Sequence, residues 1–123
     1  MIAALLGWDA EETYFDDKRN GKLIESWVYQ QLAAQAEATG LYEITHYRDN
    51  KQREIDFIVE RDDGALLGIE VKAGNVSQSD FAHLKWFAAN LAKTPFTGIV
   101  LYSGKDVLRY GEGFYAVPLS ALG

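Results

Sequence analysis

Apolar positions recur along the chain with two periods. Between Gly21 and Gly40 they fall at Leu23, Ile24, Trp27, Val28, Leu32 and Ala36, the spacing of one helical face. Asn20-Gly21 marks the predicted start and Gly40 the stop. YEITHYRDN and REIDFIVE follow, rich in β-branched and aromatic residues and parted by a polar turn, Asp49-Asn50-Lys51-Gln52. After Asp62-Asp63-Gly64, the run ALLGIEVK predicts a third strand. Ser77-Gln78-Ser79-Asp80 offers caps for a second helix, FAHLKWFAANLAK, in which Phe81, Leu84, Phe87, Ala88 and Leu91 repeat at helical spacing. TGIVLY, from Thr97 to Tyr102, predicts a central buried strand, and LRYGEGFYAVPL two short strands around Gly111-Glu112-Gly113. Helix, three strands, helix and strand in that order predict an α/β domain. Its mixed sheet begins as a meander and continues through a helical crossover.

The second and third strands carry charge inside their apolar runs, at Asp56, Glu70 and Lys72. Such groups are seldom buried unless they are paired or bind an ion. A three-residue loop at Asp62-Asp63-Gly64, with Gly64 left-handed, sets the register. Ile55 then faces Val71, Phe57 faces Ile69 and Val59 faces Leu67, three apolar pairs on one face. The other face holds Glu54 opposite Lys72, Asp56 opposite Glu70, and Ile58 opposite Gly68, the last pair leaving that end weakly filled. Opposed carboxylates disfavour the pairing by up to about 1 kcal/mol, and a divalent cation is the simplest compensation.

Lys72, two residues beyond Glu70, lies on the same face about 7 Å along the strand. Two carboxylates for a hard cation, with an ammonium beside them, suit metal-assisted attack on a phosphodiester. Asp, Glu and Lys favour Mg²⁺, with Mn²⁺ as the alternative. The absence of cysteine and the isolation of His46 and His83 argue against zinc. Glu25 shares a helical sector with Val28, Tyr29, Leu32 and Ala36 and is expected on a stripe facing the sheet. Interaction of a first-turn acid with the helix dipole is the plain alternative for it.

The 123 residues suit one domain, and a 48% hydrophobic content is that of a globular chain. MIAALLGW lacks a basic leader and runs into acidic residues, so no secretory signal is expected, nor a membrane span; the cytoplasm is the expected compartment. The net charge of −6 opposes strong autonomous binding to a phosphate backbone. Two basic groups, Lys18-Arg19-Lys22 and Arg48-Lys51-Arg53, read most simply as solvated surface.

Asp56, thirteen intervening residues and then Glu70-Val71-Lys72, behind a helix bearing Glu25, resemble the PD-(D/E)xK nuclease superfamily. GKLIESWVYQQL, HYRDNKQREIDFIVE, GIEVKAG and FTGIVLYSG resemble more closely one branch, an uncharacterised nuclease-like domain found C-terminal to AAA-type ATPase modules in prokaryotes. The resemblance implies a restriction-endonuclease-like αβββαβ core with helices flanking a mixed sheet. It implies Asp56 and Glu70 as metal-binding acids, the Val71 carbonyl as a further ligand, Lys72 as the catalytic lysine and Glu25 as the helix-borne acid that supports the metal or its water shell. Ile55 stands before Asp56 where the superfamily's name has proline. DNA is the implied substrate and an ATPase module the implied partner.

Residues 1–20 are expected to be the link to that module, and residues 21–123 the nuclease-like domain. No GxxxxGK[ST] motif is present: ahead of Gly21-Lys22, Asp16 holds the place of the first glycine. The apolar N-terminal segment offers a route to homo-oligomers. The alternative function is a catalytically weak or inactive DNA-binding or regulatory module of the same fold. A solvated salt-bridge network around Glu54 and Lys72 is the third.

Overall fold

Helix α1 begins earlier than its apolar pattern suggests. In the structure, a computed structural model that describes residues 17–40 and 42–122, it spans Asp17–Thr39 and passes through Gly21 without a break. A glycine inside a helix costs about 1 kcal/mol relative to alanine, which burial of Ile24, Trp27 and Val28 just beyond it offsets. Gly40, at φ +68°, ends the helix by donating its N–H to the Ala36 carbonyl at 2.8 Å. The expected linker falls outside the described residues for positions 1–16, while Asp17 to Asn20 belong to α1.

The meander follows as β1 (Tyr42–Arg48), β2 (Glu54–Arg61) and β3 (Leu66–Val71), all antiparallel. The β2–β3 loop has the predicted form: Arg61 donates to Ala65 at 3.0 Å across Asp62-Asp63-Gly64, and Gly64 takes φ +90°. Phe57 pairs with Ile69, Ile58 with Gly68 and Val59 with Leu67, as the apolar pattern requires.

A 3₁₀ turn (Gln78–Phe81) leads into α2 (Ala82–Asn90), which returns the chain to β4 (Phe96–Tyr102), parallel to β3. β5 (Leu108–Gly111) and β6 (Phe114–Pro118) complete the sheet in the order β1-β2-β3-β4-β6-β5, with β4 inside as expected. The domain is therefore α/β, with the αβββαβ order followed by a terminal hairpin.

Each helix covers one face. Ile24, Trp27 and Val28 of α1 pack with Phe57, Val59, Ile69 and Leu101. Phe81 and, on α2, Leu84 and Phe87 pack with Ile58, Val100 and Ala116. Gly68 does not leave its end of the sheet weakly filled. A Cβ there would lie 2.6 Å from the Phe96 ring and 2.8 Å from Leu84, so those side chains already occupy the space. No described helix is long and apolar enough to cross a membrane.

Candidate two-carboxylate site

The strand alternation assumed from the sequence breaks at Asp56. Thr45 pairs with Ile58 and Tyr47 with Ile55, so β2 advances three residues where β1 advances two. Such a bulge re-aims the side chains beside it. Ile55 consequently joins Ile58 in the α2-side core, while Phe57 and Val59 remain on the α1 side. The expected alignment of Ile55 with Phe57 and Val59 on one face is thus corrected. Asp56 is turned into a cleft of about 510 Å³ beside α1, which it shares with Glu25, Tyr29, Thr45, His46 and Glu54.

Beyond the Phe57–Ile69 pair, β2 and β3 separate. β3 stays with β4 to Val71 and β2 stays with β1 to Glu54. At the opening, the carboxylates replace the ladder. The Asp56 N–H donates to Glu70 Oε1 at 3.2 Å, and the Val71 N–H donates to Asp56 Oδ2 at 2.8 Å. Asp56 and Glu70 are neighbours as the register implied, but across a split in the sheet. Val71 engages Asp56 through its N–H.

Both acids are half-buried. Burial pushes the Glu70 carboxyl up to about 8, reinforced by the charge of Asp56 and, less strongly, of Glu54 and Glu25. Burial raises Asp56 to about 6; the Val71 N–H opposes the rise, and Glu25 and Glu54 add to it. Asp56 and Glu70 thus each sense the charges of Glu25 and Glu54. Among the described residues, no Lys, Arg or His forms an ion pair with Asp56, Glu70 or Glu25.

Glu25 is exposed and not on a buried stripe. Ile24, Trp27 and Val28 centre the buried arc of α1, so Glu25 and Tyr29 fall at its edge, where they line the cleft. Tyr29 is 51% exposed and stacks on Phe57 at 6.0 Å. Lys72 is not paired with Glu54 as expected, because the strands have parted: Glu54 meets Arg48 at 3.1 Å instead. Lys72 and Glu70 line a smaller hollow of about 230 Å³ with Asp80 and His83, and Lys72 Nζ sits 2.8 Å from Asp80. In the sequence, Asp80 carries only the signal of a helix cap. His83 Nδ1 lies 3.1 Å from the Glu54 carbonyl oxygen, which ties α2 to the same edge of β2.

The donor chemistry fits a hard divalent cation. Asp56 uses Oδ2 and Glu70 Oε1 on backbone N–H groups, and no described group donates to the other oxygen of either. Two half-buried carboxylates with free oxygens and mutual repulsion gain from a cation, and Mg²⁺ commonly takes one or two carboxylates while keeping water. Among the described residues, no three His, Asp or Glu side chains form a ready ligand set, so Glu25 does not join Asp56 and Glu70 in one.

An α/β domain whose sheet splits around two adjacent carboxylates, with a lysine at the rim, is thereby defined. The chain belongs to the family described as a domain of unknown function, DUF4143, whose profile matches residues 20–122. No curated protein and no solved structure matches it.

Proposed function

We propose that this domain is a PD-(D/E)xK-type nuclease that hydrolyses DNA phosphodiesters with Mg²⁺ or Mn²⁺, working as the module of an ATPase. The observation carrying the reading is the adjacency of Asp56 and Glu70, each raised in pKa and each with an oxygen to which no described group donates. Asp56 and Glu70 would hold the cation, with the Val71 carbonyl as a further donor. A bound cation supplies an activated water and neutralises charge at the phosphate. Lys72 offers its ammonium to a phosphate oxygen. Glu25, across the cleft, orients water around the pair. Arg48, which pairs with Glu54 at the cleft wall, offers a cation to a flanking phosphate.

The net charge of −6 favours a second reading, a weakly active or inactive DNA-binding or regulatory module of the same fold. Cleavage assays on supercoiled, linear and branched DNA with Mg²⁺ or Mn²⁺ separate the two. Cutting by the wild type and its loss in Lys72→Ala support the nuclease; activity that survives the substitution removes Lys72 from the mechanism.

A further inference from the structure

The Lys72 backbone is fixed by β4, since its N–H donates to the Leu101 carbonyl at 2.8 Å. Its side chain is fixed separately. Nζ donates to both Asp80 carboxylate oxygens, each at 2.8 Å, with the two side chains 40% and 21% exposed. Asp80 Oδ2 also accepts the Ser77 N–H at 2.7 Å and the Ser77 hydroxyl at 3.2 Å. The Asp80 N–H returns to the Ser77 carbonyl at 3.1 Å, and the next residue, Phe81, is fully buried. The carboxylate therefore stands on a rigid turn.

A helix cap needs one acceptor oxygen, which Oδ2 supplies. The charge and the second oxygen go to Lys72. An ammonium carries three donors, and Asp80 on one side leaves at least one for a ligand in the hollow shared with Glu70. A free lysine chain would have to give up several rotamers during the reaction; one already held does not.

We propose that Asp80 is the positioning residue for Lys72, holding its ammonium in the hollow it shares with Glu70 so that a remaining N–H meets a non-bridging oxygen of the scissile phosphate. This rests on the nuclease reading above. Asp80→Asn retains an acceptor for the Ser77 N–H and removes the charge.

The test pairs two measurements. In ¹H–¹⁵N spectra of lysine ammonium groups, the wild type shows a slowly exchanging signal that is absent from Lys72→Arg and from Asp80→Asn. In single-turnover cleavage with Mg²⁺, Asp80→Asn slows the step by up to about 10²-fold while KM for DNA is unchanged. If Asp80→Asn fails to fold, Asp80→Glu keeps the charge but displaces the ammonium by a methylene, and a rate loss of about 10-fold with unchanged KM is expected. An unchanged or faster rate, or an ammonium signal that persists without the Asp80 charge, overturns the proposal. A wild type that shows the signal but cuts no DNA overturns the nuclease reading itself, and the role of Asp80 in cleavage with it.

Discussion

Asp56 gives its backbone N–H to the Glu70 carboxylate at 3.2 Å, while its own carboxylate takes the N–H of the residue after Glu70 at 2.8 Å. Each acid thus completes the other strand's hydrogen bonding where the sheet opens. One oxygen of each carboxylate is thereby taken up by the fold.

Stability should fall with rising pH in the metal-free protein. Both acids have folded-state values above the usual carboxylate range, so the folded state holds their protons more tightly. The stability present below that range is lost as pH rises through about 6 for Asp56 and about 8 for Glu70. Thermal melts should give a lower Tm at about pH 9 than at about pH 5.5. Glu70→Gln, which keeps an acceptor for the Asp56 N–H, should flatten the profile; an equal slope in the variant would assign the effect to other groups.

Divalent cations should stabilise more strongly at high pH. A cation competes with the proton on Glu70, whose carboxyl is ionised only above about 8 when no cation is bound. Mn²⁺ should raise Tm more at about pH 8.5 than at about pH 6, with proton release detectable by calorimetry in buffers of different ionisation enthalpy. Equal shifts at both values would place the ion elsewhere.

Asp56→Asn and Asp56→Ala should differ in sign at about pH 8, where Asp56 is ionised in the wild type. Asparagine keeps an acceptor for the Val71 N–H and removes a repelling charge, so it should stabilise the metal-free fold. Alanine leaves that half-buried donor unmet, a loss of about 1–3 kcal/mol partly offset by the same relief of repulsion. Urea unfolding measures both, and both should abolish Mn²⁺ binding. Retained binding in either would remove Asp56 from the site.

Gly68→Ala should be destabilising although it lies in a strand, where alanine is ordinarily no worse than glycine. The new Cβ would sit 2.6 Å from the Phe96 ring and 2.8 Å from Leu84, an overpacking cost of about 1–3 kcal/mol. A Gly68→Ala/Phe96→Leu double variant should recover part of it in urea unfolding. No recovery would mean the strain is in the backbone rather than at Phe96.

The helices, the order of elements along the chain and the β2–β3 register as far as the Phe57–Ile69 pair were legible because they follow from local periodicity and from one loop, Asp62-Asp63-Gly64, whose glycine permits φ +90°. The same register makes neighbours of Asp56 and Glu70. What periodicity could not carry was the bulge opposite His46. It depends on how β1 and β2 settle against two different cores, Ile55 with Phe81 and Phe57 with Trp27. That single extra residue moved Asp56 into the cleft with Glu25. The divergence of β2 from β3 then freed Lys72 from Glu54 and delivered it to Asp80, eight residues on. Sequence alone determined that Asp56 and Glu70 meet, because strand pairing counts residues. Tertiary packing decided which side of the sheet each one works from, because a bulge and a split are settled by competition between cores.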